Sequence, residues 1–293
     1  MTPVSRTWPG PLAVALAACS WGTWPLFLRT AERYGPMPAA LESCIVMIVV
    51  TIISGIATLR DHALGPKGWL GWLAMVWLGI SDAGNVAALF RAYSTTSVAV
   101  AVLTHYLAPV FVTLGASAFL GERWRLKNAV GTFVAFFGLV LLLEPWRAVK
   151  TTLSGAAFGA LSAVFYASNV LIGKRLIGRF SPSEVMFYHG LISAPLLALL
   201  VPKGVFAHAN GASLGIMLAG ALLPGSLGAL AFMWGLARTR ATVASTLTFL
   251  EPIVAVLVGW LVYHERLSWL ATIGGALVAC GIVSVVVERR SGR

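Results

Sequence analysis

Four ionisable side chains lie inside long apolar stretches of this chain: Asp82, His105, His189 and Glu251. An ionisable group in hydrocarbon is costly, so it is retained mostly where it binds a solute, an ion or a proton. Each of the four is therefore a candidate for solute binding or proton transfer. The alternative for each is a structural hydrogen bond to a neighbouring helix, and for Glu251, which directly precedes Pro252, a proton-coupling and a structural role both stay open.

Helical spacing places these groups beside aromatic and polar side chains. His105 and Tyr106 share a helix face, and Ser245 and Thr248 share another. Aromatic walls with a few hydroxyl, amide and imidazole groups suit an amphiphilic organic solute, although such stripes also pack against other helices or face lipid. The predicted solute-binding residues are Trp21, Trp24, Asp82, Asn85, His105, Tyr106, Tyr166, Asn169, Trp234, Ser245, Thr248 and Glu251.

Two prolines and four glycines mark special points on the predicted helices. Pro109 and Pro252 each remove a backbone donor, which predicts either a hinge or a static kink. Gly131 with Gly138, and Gly274 with Gly281, are spaced by seven residues. Each pair therefore lies on one helix face and predicts a close helix approach, within one protomer or in a dimer.

Enzymatic chemistry has little support in the sequence. The chain has no GxxxxGK[ST] or HExxH motif and no GxSxG on a predicted strand-turn-helix, so it predicts no catalytic residue and no nucleotide-driven pump. Cys19, Cys44 and Cys280 have no paired spacing, which argues against a disulfide or a CxxC metal site. We predict no metal and no cofactor. A secondary transporter, a channel and a small intramembrane enzyme are the classes to be weighed.

Composition indicates an integral membrane protein. Apolar residues make up 58% of the chain and charged residues 11%, with a mean hydropathy of +0.86. A soluble domain has roughly 45–50% apolar and about 25% charged residues. The net charge of +11 arises from short basic runs between apolar stretches, so it predicts no nucleic-acid partner. The expected partners are membrane lipid and a small-molecule solute, with the protein a monomer or a homodimer.

Ten segments are long and apolar enough to span a bilayer, which requires roughly 20 residues. Lys and Arg number 14 on one side of the predicted bundle and 7 on the other. The positive-inside rule then places both termini in the cytoplasm. The predicted spans are 11–29, 37–58, 69–91, 97–120, 127–144, 153–173, 183–201, 212–237, 241–262 and 268–287.

The chain contains an internal repeat. Residues 88–144 align with 231–287 at a constant shift of 143, which places Pro109 over Pro252 and Glu122-Arg123 over Glu265-Arg266. Repeats of five spans each must have opposite orientations in the membrane, because five is odd. The predicted fold is all-α, with ten transmembrane helices in two inverted five-helix repeats, residues 1–148 and 149–293. An inverted repeat favours a transporter over a channel or an enzyme.

The order of the motifs "CSWGTWPLF", "LAP", "LGER", "LEP" and "YHER" along ten spans resembles the drug/metabolite transporter superfamily, EamA branch. Within it the chain is most similar to bacterial exporters of amino acids, particularly aromatic ones. The resemblance implies a central cavity lined by spans 1, 3, 4, 6, 8 and 9, and a location in the bacterial inner membrane.

The predicted function is export of small organic solutes, amino acids with aromatic or other bulky neutral side chains, by alternating access. Export of another metabolite or a drug-like compound is the alternative, and a channel is a third. Proton-coupled transport requires Glu251, His105 or Asp82 to change protonation state. Facilitated diffusion requires no such group, and the sequence does not distinguish the two.

Overall fold

The structure, a computed structural model, describes residues 9–35, 37–61, 66–148, 151–204 and 210–287. Within these ranges the regular structure is helical and contains no strand beyond one isolated bridge. Both chain ends lie outside the described residues. So do five of the basic residues that predict the orientation: Arg6, Lys150, Arg289, Arg290 and Arg293.

Fourteen α-helices make up the described chain, together with a 3-10 turn at Pro145–Arg147 and a π-helical turn at Ala221–Leu227. The helices are α1 Pro9–Trp21, α2 Trp24–Glu32, α3 Ala39–Thr58, α4 Gly68–Thr95, α5 Val98–His105, α6 Ala108–Leu120, α7 Leu126–Leu143, α8 Leu153–Leu176, α9 Pro182–Ala198, α10 Gly211–Gly220, α11 Gly228–Arg238, α12 Ala241–Leu247, α13 Leu250–Tyr263 and α14 Trp269–Val286.

Nine segments of the described chain are long and apolar enough to cross a membrane. Four of them consist of two helices in line: α1 with α2, α5 with α6, α10 with α11, and α12 with α13. The seventh predicted span corresponds to α9, which has 17 residues. The protein is thus all-helical with the dimensions of a multi-pass membrane protein, and the total of ten spans stays a prediction.

Two of the helix breaks occupy nearly repeat-related positions. The first separates α5 from α6 at residues 106–107, and the second separates α12 from α13 at residues 248–249. Pro109 and Pro252 lie in the first turn of the helices that follow. A proline lacks the backbone N–H that would continue the preceding helix, which accounts for a break just before it. The break at each proline agrees with a kink, and hinge motion there stays a prediction.

A third break, between α1 and α2, lies outside the predictions, and Pro25 lies in the first turn of α2 as Pro109 does in α6. Here the chain turns at Gly22 and Thr23, and the Thr23 hydroxyl donates to the Ser20 carbonyl at 2.6 Å. A Cβ at Gly22 would lie 2.6 Å from the carbonyl oxygen of Glu251 and 2.5 Å from the Cβ of Val254. The absence of a side chain therefore lets the α1–α2 junction contact the start of α13.

The glycine spacing on α7 and α14 serves close packing within the protomer. Gly131 lies against Gly281, and Gly138 against Gly274; a Cβ at Gly138 would be 2.7 Å from the Gly274 carbonyl oxygen. The early glycine of one helix meets the late glycine of the other, so the two helices run antiparallel. The predicted close approach is confirmed, and it pairs repeat-related helices with each other.

Candidate functional site

The site predicted from the sequence lies where three helix breaks meet. The α1–α2 junction at Gly22 contacts α13 at Glu251. The ring of Tyr106, from the α5–α6 break, stacks on that of Phe249, from the α12–α13 break, with centroids 5.8 Å apart. Tyr106 and Phe249 are related by the shift of 143 residues. The two halves of the chain therefore contribute repeat-related rings to one contact.

Aromatic side chains extend from this contact. The imidazole of His105 lies 5.6 Å from the ring of Tyr106 and 5.3 Å from that of Tyr166. Trp21, at the end of α1, lies 5.3 Å from Phe232 of α11 and against Gly228. The predicted aromatic residues Trp21, Tyr106 and Tyr166 thus all lie at or near the breaks, where ring faces can contact an apolar side chain or a cation.

Three tyrosines lie near the carboxyl group of Glu251. The hydroxyls of Tyr106, Tyr93 and Tyr166 are all within electrostatic range of it. A phenol donates to a carboxylate and accepts from a carboxylic acid. The group can therefore hold Glu251 in either protonation state, or present it to a cationic part of a solute.

The imidazole of His105 is hydrogen-bonded to a polar chain on α8 and α4. Its Nδ1 is 2.8 Å from Ser162 Oγ, and Ser162 Oγ donates to Asn85 Oδ1 at 2.7 Å. The hydroxyl has one hydrogen, which Asn85 accepts, so Nδ1 of His105 must donate to Ser162. Among the described residues no hydrogen bond to Nε2 of His105 is seen, so this atom is available to a solute.

Asp82 belongs to a second polar group, on α4, α8 and α9. Its Oδ1 accepts a long hydrogen bond of 3.4 Å from Asn169 Nδ2, and its Oδ2 is 3.8 Å from Nε2 of His189. His189 was considered as a candidate from sequence but was not included among the predicted binding residues, because α9 is not a cavity-lining span in the resemblance. The structure pairs it with Asp82.

The side chains of four predicted binding residues make contacts other than the aromatic one. Trp24 packs on Gly220 of α10, and Trp234 is 38% exposed with the guanidinium of Arg238 3.7 Å from its ring centroid. Ser245 and Thr248 are buried, and their hydroxyls donate to carbonyls of their own helix at 3.1 and 2.7 Å. A solute role for these four stays a prediction.

The Glu122 end of the bundle is closed by a helix cap. Glu122 Oε1 accepts from the backbone N–H of Ala241 at 2.6 Å, and Oε2 accepts from the hydroxyl of Thr242 at 3.0 Å. Arg240 Nε lies 3.5 Å from the same carboxylate. A negative charge at the N-terminus of α12 is favourable because the first N–H groups of a helix have no internal partner. Glu122 therefore fastens the end of α6 to the start of α12.

Behind this cap the hydroxyls of three threonines form a buried chain. Thr113 Oγ1 lies 3.2 Å from Thr132 Oγ1, which lies 2.9 Å from Thr246 Oγ1. A cleft lined by Thr113, Glu122, Arg240 and Thr242 lies between α6, α7 and α12. The threonine chain ties α6 and α12 to α7, which extends the closure inward from Glu122.

The repeat-related end is not closed in this way. Glu265 is half exposed and pairs with Arg29 at 2.6 Å. The start of α5, which the repeat relates to the start of α12, is capped by its own Ser97. In the described part of the chain α6 packs along α12, while no comparable packing joins the related pair α5 and α13. The central helices are therefore together at the Glu122 end and apart at the other.

Comparison with known proteins agrees with this architecture. Residues 8–144 and 153–287 each match the model of the EamA-like transporter family. An uncharacterised transporter of Archaeoglobus fulgidus is 28% identical over 94% of this chain and 95% of its own. A riboflavin transporter of Vibrio cholerae is 30% identical over 61% of this chain and 59% of its own. A probable terminal-alkyne amino-acid exporter of Streptantibioticus cattleyicolor is 31% identical over 63% and 62%.

The family match covers nearly the whole described chain, in two segments that each contain one copy of the repeat. The members of this family are transporters, which agrees with the absence of catalytic motifs in the sequence. The chain belongs to the EamA-like transporter family.

Proposed function

We propose that this protein exports amino acids with aromatic or other bulky neutral side chains across the bacterial inner membrane by alternating access. The observation that carries the proposal is the meeting of three helix breaks. There, rings from both halves of the chain surround the Glu251 carboxyl group and the free Nε2 of His105. Such a place combines an apolar wall with a few polar groups, as a small-molecule site requires.

The fold proposed is ten transmembrane helices in two inverted repeats, residues 1–148 and 149–293, with both termini in the cytoplasm. The antiparallel packing of α7 on α14 supports inversion. A two-fold axis in the membrane plane reverses the direction of a helix as it exchanges the repeats, so related helices that meet at the axis must run antiparallel. A two-fold axis along the membrane normal leaves them parallel.

The unequal ends support alternating access. Under the predicted orientation, the closed Glu122 end is cytoplasmic and the open end between α5 and α13 is external. The state that is open at the Glu122 end and closed at the other should have a similar free energy, because each half can adopt the arrangement that the other half now has. A solute bound beside Tyr106 and Phe249 would lie at the centre of this exchange.

Two relatives suggest different solutes. One is named a probable terminal-alkyne amino-acid exporter, and another a riboflavin transporter. We favour an amino acid because the Glu251 carboxyl group can bind an ammonium group while the rings of Tyr106 and Tyr166 contact its side chain. A flat heterocycle such as riboflavin is the second candidate, since the same rings could stack on it.

Counterflow in proteoliposomes tests the proposal. Vesicles loaded with unlabelled phenylalanine, tryptophan, leucine or riboflavin are placed in trace labelled solute, and its uptake is measured. We expect exchange of phenylalanine and tryptophan, reduced at least fivefold by Tyr106→Ala and Tyr166→Ala and less by Trp21→Ala. Trp269→Ala, at an exposed helix start, is the matched control and should behave as wild type. Exchange of riboflavin alone would exclude the amino-acid assignment, and normal rates in all three variants would exclude the site.

A further inference from the structure

The Asp82–His189 pair is an acid and a base facing each other inside the membrane. Asp82 lies near the middle of α4 and His189 near the middle of α9, and their side chains are 17% and 7% exposed. Four other acid–base pairs of the described residues lie at helix ends. They are Arg29–Glu265, Lys67–Glu184, Arg147–Glu144 and Arg240–Glu122. An ionisable pair at mid-helix needs a functional reason, because its desolvation is costly.

The hydrogen bonds of His189 determine what can lie between the two groups. Its Nδ1 is 2.8 Å from the carbonyl oxygen of Val185. A carbonyl only accepts, so Nδ1 carries a hydrogen. In the neutral ring Nε2 then has a lone pair, which faces Asp82 Oδ2 at 3.8 Å. Two lone pairs repel, and the contact is favourable only when one proton lies on Nε2 or on Oδ2.

Among the described residues, three oxygens of this region have no hydrogen-bond partner: Asp82 Oδ2, Asn169 Oδ1 and Ser193 Oγ. Buried polar atoms without partners are rare in folded proteins and destabilising. They mark a place whose hydrogen bonds change between states. When the proton leaves, the Asp82 carboxylate has two donors within the same group, the Asn169 amide and the Ser193 hydroxyl.

We propose that the Asp82–His189 pair binds and releases one proton in each transport cycle and that Asn169 carries this change to the solute site. With the proton on Oδ2 or on Nε2, the contact between Asp82 and His189 is favourable and the Asn169 amide is free to bind a solute. With the proton gone, the carboxylate recruits the amide and withdraws it. Proton and solute then alternate on the protein, which makes the transporter a proton–solute antiporter.

Asn169 is suited to this task by its position. It lies one turn after Tyr166 on α8, and Tyr166 contacts His105 and is in electrostatic range of both Asp82 and Glu251. The inference rests on the proposed function, since it assigns the coupling ion of the same transporter. It assigns proton binding to the Asp82–His189 pair, and Glu251 remains a solute-binding residue.

The other titratable groups around the pair have their own partners or surroundings. From α8, Tyr166 faces Asp82, and Lys174 at the helix end donates to the carbonyls of Leu236 and Thr239. From α3, Cys44 packs with Ala83 in an apolar cluster. His105 of α5 is bound to Ser162. On α11, the ionisable residue Arg238 lies over Trp234. With all of these contacts in place, the contact between Asp82 and His189 still requires one proton on Nε2 or on Oδ2.

The test uses the full-length protein in proteoliposomes with a trapped pH-sensitive dye and radiolabelled phenylalanine as the probe. Phenylalanine exchange without a gradient and phenylalanine flux driven by a pH gradient are measured on the same preparation. In the wild type, we expect phenylalanine flux in one direction to be accompanied by proton flux in the opposite direction. In Asp82→Asn and His189→Asn, the ratio of gradient-driven flux to exchange should fall at least tenfold. An asparagine at 189 can retain the donor to Val185 while removing Nε2.

His264→Asn is the matched histidine control. His264 is exposed at the end of α13 with φ of 55°, a conformation that asparagine tolerates, and its ratio should equal that of wild type. Exchange by wild type without proton movement overturns the proton proposal and leaves the proposed function standing. So does a wild-type ratio in His189→Asn, or a proportional loss of both activities in the two variants. Absence of exchange for every probe in wild type overturns the proposed function itself.

Discussion

The two Glu-Arg ends of this protein have the same sequence origin and different surroundings. Glu122 is nearly buried and accepts from the backbone of Ala241 and the hydroxyl of Thr242 on another helix. Glu265, its counterpart 143 residues later, is half exposed and meets Arg29. One carboxylate therefore caps a helix that belongs to the other half of the chain, and the other forms a surface ion pair.

This difference shows that two copies of one repeated motif can have different partners and different burial. A carboxylate that accepts backbone N–H groups contributes about 1.5–3 kcal/mol for each charge-assisted bond. An exposed ion pair contributes about 0–1 kcal/mol. Under the proposed alternating access, the bonds of Glu122 hold the present state, and Glu265 would form equivalent bonds to α5 in the opposite state.

The Glu122-Arg123 end and the Glu265-Arg266 end should lie on opposite sides of the membrane. Arg123→Cys and Arg266→Cys, each in a background where Cys19, Cys44 and Cys280 are alanine, place a thiol at each end. An impermeant maleimide added to intact cells should label position 266 and not position 123, an all-or-none difference. Labelling at both positions, or at 123 alone, contradicts the inverted topology.

Glu122→Ala should have the next largest effect, because it removes two or more charge-assisted bonds at once. A loss of about 3 kcal/mol shifts the closed–open equilibrium roughly a hundredfold. A thiol introduced at Thr113, buried behind the cap, should react with maleimide at least tenfold faster in Glu122→Ala than in wild type. Glu265→Ala is the repeat-related control and should leave this rate within twofold. Equal effects would mean that the ends do not differ as gates.

The close contact between α7 and α14 should be the next most sensitive to substitution, because a new side chain on one helix displaces the other. In Gly138→Ala, the new methyl would lie 2.6 Å from the backbone nitrogen of Val278 and must separate the helices. Overpacking of this kind costs about 1–3 kcal/mol. Gly275→Ala is the control, because its nearest neighbour would be 3.9 Å away. Thermal unfolding in detergent should show a lower midpoint only for Gly138→Ala.

The arginines should give the smallest difference between the ends. Arg240 donates to the carbonyl oxygen of Arg123 at 2.7 Å and lies beside Glu122, whereas Arg29 has only half-buried contacts to Glu265 and the ring of Tyr263. We expect Arg240→Gln to reduce phenylalanine counterflow about threefold and Arg29→Gln to stay within twofold. A larger effect of Arg29→Gln would indicate that the external end is the rate-limiting gate.

Patterns local to one segment could be predicted from the sequence. The spans follow from runs of apolar residues, and the kinks before Pro109 and Pro252 follow from the missing backbone donor. The close contact of α7 and α14 follows from glycines spaced by seven residues. In each case the cause lies within one helix, so one sequence is enough to identify it.

Contacts between distant segments could not be predicted in this way. The contact of Gly22 with the start of α13 joins distant segments. The hydroxyls of Ser245 and Thr248 donate to their own helix although their spacing is typical of a pocket. His189 was given little weight because α9 did not belong to the expected cavity. The periodicity of one helix predicts which residues share a face. It does not predict which neighbouring helix packs against that face.

By itself, the sequence determined that this is a membrane protein with a duplicated core, and that the Glu-Arg ends and prolines recur in both copies. The tertiary structure decided which of two equal motifs became a buried cap, which histidine faces Asp82, and which rings meet at the breaks. The physical reason is that hydropathy and helix periodicity act over a few turns of one segment. The state of a gate is set by hydrogen bonds between residues more than a hundred positions apart, and a symmetric sequence is compatible with either end being closed.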